Sequence, residues 1–162
     1  PMSPLNPLAL RFIEDAGNMT QSFGVGRVLG QIYAYLYFSR EPKNLADMQD
    51  ALGISKGSAS TGVRQLEQWG AVRKVWVKGD RKDYYGASDW FGKILKNAIF
   101  DTVGKKMSSY TALLEEVESE LTRLPNADGE GEFIRDRIAA LRAFQDKAQG
   151  VWNRPLIRKL LR

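Results

Sequence analysis

Apolar side chains recur along the first half of the chain at spacings that predict four short α-helices. The first helix carries apolar residues at steps of 4, 4, 3 and 4, namely Leu8, Phe12, Ala16, Met19 and Phe23. Such steps place side chains on one face of a helix. Asn6 followed by Pro7 predicts its start, because asparagine caps helix N-termini and proline suits the first helical position. A second helix is predicted over residues 27–39, a third begins after Asn44, and a fourth begins after Ser55.

The third and fourth predicted helices are joined across Gly53, and two short helices joined by such a turn predict a helix-turn-helix. In the fourth helix, three apolar residues have the spacing of a core-facing stripe: Ala59, Val63 and Leu66. Its other faces carry short hydroxyl and cationic side chains, which suit phosphates and base edges. Since a helix-turn-helix normally places its second helix in the DNA major groove, the candidate DNA contacts are Ser55, Lys56, Ser58, Ser60, Thr61 and Arg64.

Two glycines, Gly57 and Gly62, lie inside the fourth predicted helix. Each costs about 1 kcal/mol relative to alanine in a helix interior. This cost indicates that the helix backbone approaches another group closely, either DNA or the preceding helix.

The segment VRKVWVKGDRKDYYGA, residues 72–87, predicts a β-hairpin. Residues 72–77 have the β-branched and aromatic composition of a strand, residues 84–87 can pair back against them, and Gly79-Asp80 forms the turn. A helix-turn-helix followed directly by a hairpin predicts a winged helix. The hairpin, or wing, carries cations that can lie along DNA phosphates or enter the minor groove: Arg73, Lys74, Lys78, Arg81 and Lys82. The alternative is a solvated hairpin that its charges keep soluble.

Residues 89–124 contain no proline and predict one long helix. Within it a heptad seam steps by 4 and 3, through Val103, Met107, Tyr110, Leu114, Val117, Leu121 and Leu124. Such a seam favours pairing with a second copy of the chain, whereas packing within one chain is the alternative. Residues 125–131 predict a turn, a further helix follows it, and the basic end of the chain is predicted to pack onto these helices through Trp152, Ile157 and Leu160.

The charge distribution favours a polyanionic partner for the middle of the chain. The net charge is +5, and residues 53–87 contain seven lysines or arginines against three acids. A local excess of this kind attracts polyanions such as nucleic acid.

Composition excludes several kinds of chemistry. The chain contains neither cysteine nor histidine, which removes disulfides, thiolate sites, and the commonest general base and metal ligand. The acids at positions 115, 116, 118 and 120 flank the heptad seam and are interpreted as a solvated helix face. We therefore expect no enzyme activity, no metal and no cofactor. The longest apolar run, residues 32–38, is too short for a membrane span, and no secretory signal is visible, so we expect a cytoplasmic protein without a membrane partner.

Three aromatic residues form a candidate effector site. Tyr33 and Tyr37 lie one helical turn apart, and Trp90 opens the long helix. Aromatic rings of this kind can surround a quaternary ammonium ion. The alternative is that the three rings belong to the core.

The stretch from Val25 to Tyr85, above all ISKGSASTGVRQLE followed by VWVKGDRKDYY, resembles the GbsR-type transcriptional regulators, which are allied to the MarR winged-helix family. The resemblance implies a mainly α fold with a small hairpin, in which residues 1–88 form a winged helix-turn-helix DNA-binding domain and residues 89–162 a helical dimerisation region. It also implies a homodimeric repressor that binds a pseudo-palindromic operator in double-stranded DNA. The choline responses of some members imply a small-molecule effector such as a quaternary ammonium compound.

One other class of function is kept open by the residues. A winged helix can serve as a protein-interaction module without specific DNA binding, in which case the wing cations would meet an acidic partner.

Overall fold

The computed structural model describes residues 5–124 and 129–160, and it confirms a mainly helical chain with one two-stranded antiparallel hairpin. The elements of the described residues are, in chain order, α1 (Pro7–Ser22), α2 (Arg27–Tyr37), α3 (Leu45–Leu52), α4 (Lys56–Gln68), β1 (Val72–Val75), β2 (Tyr84–Ala87), α5 (Phe91–Leu121), α6 (Gly129–Trp152) and α7 (Pro155–Leu160). Of the predicted turn at residues 125–131, positions 125–128 lie outside the described residues. No helix of the described parts is long and apolar enough to cross a membrane.

The chain divides into two compact units, a first unit of residues 1–97 and a second unit of residues 98–162. The division between the first unit and the second unit falls inside α5. The domain boundary predicted after residue 88 stays a prediction.

The predicted starts of α1, α3 and α4 are confirmed by side-chain caps. The Asn6 side chain accepts a hydrogen bond from the Leu8 amide at 2.8 Å. Asn44 and Asp47 form a reciprocal capping box, with both hydrogen bonds at 2.9 Å. Ser55 accepts from the amide of residue 58 at 3.1 Å. Each cap satisfies a backbone donor that the first turn of a helix would otherwise leave unpaired.

Two glycines allow the helices of the first unit to approach closely. A Cβ atom on Gly30 of α2 would lie 2.0 Å from the Ala16 carbonyl oxygen of α1, and one on Gly62 of α4 would lie 2.7 Å from Ile32 of α2. Gly62 therefore faces α2, and neither DNA nor the preceding helix α3 accounts for it. The core beside it includes Ile32, Met48 and Val63, which are almost completely buried.

Four of the five residues of the apolar stripe predicted on α1 are exposed in the first unit, whereas the fifth, Ala16, is half-buried next to α2. Leu8 and Phe23 at the two ends of the stripe are each 67% exposed, and Phe12 and Met19 between them are also exposed. The buried residues of α1, which packs on α2, are Ala9, Ile13 and Gly17, and two of these three are small. The small residues among them allow α2 to come close enough for Gly30 to contact the backbone of α1.

The wing has its predicted partners but a shorter first strand. β1 pairs antiparallel with β2 in a register that runs from Val72 opposite Ala87 to Val75 opposite Tyr84. The second strand occupies residues 84–87 as predicted, whereas the first ends at Val75, two residues earlier than predicted. Residues 76–83 thus form the loop at the wing tip.

In the second unit, polar contacts join α5 and α6 as antiparallel neighbours. The Gln145 side chain donates to the Met107 carbonyl at 3.2 Å and to the Thr111 hydroxyl at 2.9 Å. Arg142 forms two hydrogen bonds with Glu118, at 3.0 and 2.9 Å. Later residues of α5 contact earlier residues of α6, so the two helices run in opposite directions.

The heptad seam of α5 is partly covered within one chain. Leu114 is 2% exposed and Leu121 is 7% exposed. Thr111 and Glu118, which contact α6, lie about one turn to either side of Leu114 and therefore on the same face of the helix. This matches the internal packing that the sequence left as the alternative, and the dimer interface stays a prediction.

The predicted packing of the C-terminal tail is confirmed for Trp152, whose ring lies 5.2 Å from that of Phe100 on α5. Ile157 is partly buried. Leu160, by contrast, remains exposed.

Candidate nucleic-acid interface

The exposed side of α4 carries the residues that the sequence predicted for it. Ala59, Val63 and Leu66 are buried in the first unit, while Lys56, Thr61 and Arg64 are exposed and Ser60 is half-buried. The Arg64 guanidinium lies 3.4 Å from the Ser60 hydroxyl on the preceding turn. This weak contact keeps the arginine on the surface of its own helix, from which it can exchange to another acceptor.

Two of the predicted contacts have a structural task at the start of α4. The Ser55 hydroxyl accepts from the Ser58 amide and donates to the Ser58 hydroxyl at 3.0 Å. Ser55 is therefore occupied as the cap of the helix, and Ser58 is engaged with it.

The cations of the wing differ in how far their charge is compensated. Arg73, Lys78, Arg81 and Lys82 are exposed. The Lys74 ammonium instead lies 3.1 Å from the Asp83 carboxylate, and this hydrogen bond raises the pKa of Lys74. Lys74 consequently offers less free positive charge to a partner than the other wing cations do.

A network around Asp80 shapes the wing tip, and the sequence analysis missed it. The Asp80 carboxylate accepts from the Lys82 amide at 3.0 Å and from the Tyr84 hydroxyl at 2.8 Å. Both hydrogen bonds lower the pKa of Asp80, and the bond from the Lys82 amide has the larger effect. Gly79, with a φ of +84°, provides the left-handed residue of the turn. Aspartate after glycine in a turn was the available signal, because its side chain bonds backbone amides two residues on.

The wing and the helix-turn-helix share one hydrogen-bonded frame. Lys43 and Tyr85 exchange backbone hydrogen bonds of 3.0 and 2.8 Å. Lys43 immediately precedes Asn44, the cap of α3, and Tyr85 lies in β2. The first helix of the helix-turn-helix and the wing are thereby held at a defined distance.

Asn97 of α5 is a second residue that the sequence analysis missed. Its side-chain amide donates to the carbonyl of Trp69, the C-cap residue of α4, at 2.9 Å. This bond ties the end of the candidate recognition helix to α5. No local motif identifies it, because the two residues lie 28 positions apart.

The structure brings Tyr33 and Tyr37 of the predicted effector site together, with ring centroids 6.0 Å apart. The Tyr33 hydroxyl donates to the Ser88 carbonyl at 2.6 Å. Burial, and then the neighbouring Tyr37 and Asp89, raise the pKa of Tyr33 to about 12. Tyr33 is therefore a neutral donor near pH 7.

The third predicted aromatic residue differs from the expectation. Among the described residues, the ring at the start of α5 that contacts Tyr37 is that of Phe91, at 5.6 Å. The Trp90 ring instead carries the ammonium group of Lys93 at 5.1 Å from its centre. Trp90 lies just before α5, so the ring that reaches Tyr37 is that of Phe91, the first residue of the helix.

The acidic residues of α5 do not assemble with others into a metal site within residues 5–124 and 129–160. Glu118 is held by Arg142, and this hydrogen bond lowers the pKa of Glu118.

Comparison with known proteins relates the chain to bacterial regulators. No family model matches it. It is 27% identical to the HTH-type transcriptional repressor OpcR of Bacillus subtilis (strain 168) over 117 residues, 72% of this chain and 63% of that protein. It is 25% identical to the HTH-type transcriptional repressor GbsR of the same organism over 141 residues, 83% of this chain and 78% of that protein. The chain thus spans less than two thirds of OpcR. The resemblance to GbsR-type regulators is confirmed by these similarities.

A solved crystal structure has the same fold. It is described as that of a transcriptional regulator, and it superposes with a TM-score of 0.52 at 22% sequence identity. The match covers 90% of this chain and 98% of that one. This likeness extends the shared architecture over most of the chain.

Proposed function

We propose that this chain is a sequence-specific DNA-binding transcriptional regulator that represses its target as a homodimer. The observation that carries the proposal is the common frame of α4 and the wing. The exposed side of α4 presents Lys56, Thr61 and Arg64, and the Lys43–Tyr85 bridge fixes the cationic wing beside the same helix-turn-helix. The two named relatives are both transcriptional repressors, which supports repression as the outcome of binding.

In the proposed complex α4 enters the major groove and the wing follows the flanking backbone. Arg64 is long enough to reach a base edge, where an arginine can donate two hydrogen bonds to guanine. Ser60 and Thr61 contribute hydroxyl groups for phosphates or bases. The wing cations Lys78, Arg81 and Lys82 neutralise phosphates, and Arg81 is the candidate for a narrow minor groove.

The proposed homodimer requires a pseudo-palindromic operator with half-sites about 34–36 Å apart or a multiple of that distance. From the predicted interface, Tyr110 is exposed, and Val103, Met107 and Val117 are half-buried. Leu114 and Leu121, which are covered within the chain, would support such an interface indirectly by holding α5 beside α6. Exposed apolar side chains nearby, Leu113 and Phe144, would be available to the second copy.

We further propose that a small cationic effector, such as a quaternary ammonium compound, acts near Tyr33 and Tyr37. Supporting this are the exposed face of Tyr37 and the ring of Phe91 beside it. Tyr33 is bonded to Ser88, which joins β2 to the segment before α5, so a ligand at these rings would act on the base of the wing. Such a ligand shifts the DNA-binding equilibrium only through different affinities for the two conformations.

The proposal is tested by selecting bound double-stranded DNA from a random pool. The affinity of the protein for the most enriched sequence is then measured at several salt concentrations. We expect an enriched sequence with two-fold symmetry. The logarithm of the association constant is expected to fall linearly with the logarithm of the salt concentration, with a slope of about −0.9 per phosphate contact. Weak binding to every sequence, insensitive to salt, would overturn the proposal and favour the module that binds an acidic protein.

A further inference from the structure

The wing carries one large side chain that its own fold leaves in water. Trp76, the first residue after β1, is 80% exposed, the highest value among the exposed large apolar residues of the described chain. The two tyrosines of β2 behave differently, since Tyr85 is buried and Tyr84 bonds to Asp80. Within the described residues, Trp76 makes no hydrogen bond and no ring contact.

An indole in this position carries a solvation cost that a partner would remove. Tryptophan buries about 150–250 Å² when it is covered, and its Nε1–H group then seeks an acceptor. Trp69, which precedes the wing, is 6% exposed and illustrates how the same residue behaves inside the first unit. The exposure of Trp76 leaves this large apolar surface available to another molecule.

The charges around Trp76 identify the chemistry of that molecule. The loop 76–83 that begins at Trp76 carries three cations, Lys78, Arg81 and Lys82, against two acids, of which Asp83 is paired with Lys74 and Asp80 bonds within the loop. A partner for this surface must combine negative charge with apolar patches. The backbone of duplex DNA has both, because its phosphates alternate with deoxyribose rings.

We propose that Trp76 is a direct, uncharged DNA contact of the wing. Its ring packs on a deoxyribose at the edge of the groove, and its Nε1–H donates to a phosphate oxygen, while the neighbouring cations hold the backbone in place. This inference rests on the proposed DNA-binding function and adds a contact to it that is not an ion pair.

An uncharged contact has a signature that separates it from the cations. Counterion release makes the affinity of cationic contacts depend on salt, with a slope proportional to the number of phosphates neutralised. The indole neutralises no phosphate. Its removal is expected to lower the affinity by the same factor at every salt concentration.

The experiment measures the affinity of the full-length protein for the selected operator at four salt concentrations. For Trp76→Ala we expect binding about tenfold weaker throughout, as for the loss of a large aromatic contact, with an unchanged slope. For Trp76→Phe, which keeps a ring but lacks the N–H group, we expect a smaller loss. The Arg81→Ala/Lys82→Ala double variant is expected to make the slope shallower by roughly 2–4 units in a dimer.

Two controls separate a DNA contact from a folding effect. Leu156→Ala removes another highly exposed apolar side chain, one that belongs to the second unit, and is expected to bind like the wild type. The thermal midpoint of Trp76→Ala is expected to match the wild type, because truncation of an exposed side chain removes little packing. Quenching of tryptophan fluorescence by acrylamide is expected to decrease when operator is added to the wild type, and to change little in Trp76→Phe.

The outcomes are distinguishable. If Trp76→Ala binds like the wild type at every salt concentration while the double variant is weakened, the proposed function stands and the Trp76 contact is overturned. A change of slope in Trp76→Ala would also overturn it, because the indole would then act by placing the cations. If the wild type enriches no DNA sequence, the proposed function fails, and the Trp76 contact fails with it.

Discussion

Each of the two compact units is stabilised internally by a different kind of contact. In the first unit, apolar side chains such as Ile32 and Met48 are completely buried, and glycines allow α1, α2 and α4 to pack closely. In the second unit, Gln145 and the Arg142–Glu118 pair join α5 to α6, while Phe133 and Phe144 remain exposed. A dense apolar core fixes the packing of α1, α2 and α4 in the first unit, although the large apolar residues of α1 stay exposed there as well. Polar contacts select the pairing of the second unit but leave apolar surface uncovered, as expected for a region that a second copy completes.

The largest expected effect comes from filling a close contact of the first unit. In Gly30→Ala the new methyl group would meet the backbone of α1 at 2.0 Å, so the two helices must separate, and we expect a loss of about 3 kcal/mol of unfolding free energy or more. Urea denaturation measures it. The matched control is Gly104→Ala on α5, where nothing lies within 4 Å and the better helix propensity of alanine is expected to be neutral or stabilising. Equal stability of the two variants would contradict the close packing of α1 on α2.

Two adjacent leucines of α5 test how the second unit is covered. Leu114→Ala removes a side chain that is buried within one chain, and we expect it to cost about 2–3 kcal/mol, towards the low end for buried leucines. Leu113 is exposed, so Leu113→Ala is expected to leave the fold of each chain intact and to weaken only association.

Denaturation at high and low protein concentration, together with light scattering, separates these two effects. If Leu113→Ala destabilised the chain as much as Leu114→Ala at every concentration, the assignment of inner and outer faces would be wrong. If light scattering showed that the wild-type protein is a monomer at micromolar concentration, the proposed homodimer would be wrong.

A smaller effect is expected from a residue that belongs to the surface of the first unit. Arg64 is exposed, so Arg64→Ala is expected to unfold like the wild type but to weaken the selected operator by about 1–3 kcal/mol, the range of a good base contact. Arg123→Ala, which removes an exposed arginine from the second unit, serves as the control and is expected to bind normally. Equal weakening of operator and random DNA by Arg64→Ala would instead make Arg64 a phosphate contact.

The smallest expected effect concerns pH and separates the units by their chemistry. The hydrogen bond from Arg142 lowers the pKa of Glu118 below its ordinary value of 4.5. A carboxylate with a lowered pKa stabilises the folded state above the unfolded value, and this contribution is lost as the pH falls through the folded value. We therefore expect the α5–α6 contacts to loosen at a pH below 4.5, with only a modest loss because the pair is partly exposed.

Nuclear magnetic resonance during acid titration measures this loosening as a step in the chemical shifts of the α6 amides. Glu118→Gln is expected to abolish the step. The amides around Ile32 supply the internal reference, since the neighbouring residues of α2 include no acid. A step of the same size in the Glu118→Gln variant would assign it to another acid.

Much of the first unit and of its candidate DNA-binding surface was predictable from the sequence. Caps, turns and strand composition act over a few residues, so Asn44, Ser55 and the strand at residues 84–87 could be recognised from their neighbours alone. The stripe of Ala59, Val63 and Leu66 likewise predicted which face of α4 remains exposed. These features depend on the types of nearby residues and on the period of the helix or strand, which the chain carries in itself.

Contacts between distant segments were decided only by the tertiary structure. The sequence could not tell that α1 packs through its small residues and exposes Phe12, because both faces of that helix are apolar and only the close contact with Gly30 distinguishes them. It could not pair Asn97 with Trp69 or Lys43 with the wing. Period alone also left open what covers Leu114, since a heptad seam packs equally well on a helix of its own chain or of another. Local chemistry determines which elements form, and the choice among apolar faces is made by the shapes that meet when those elements pack.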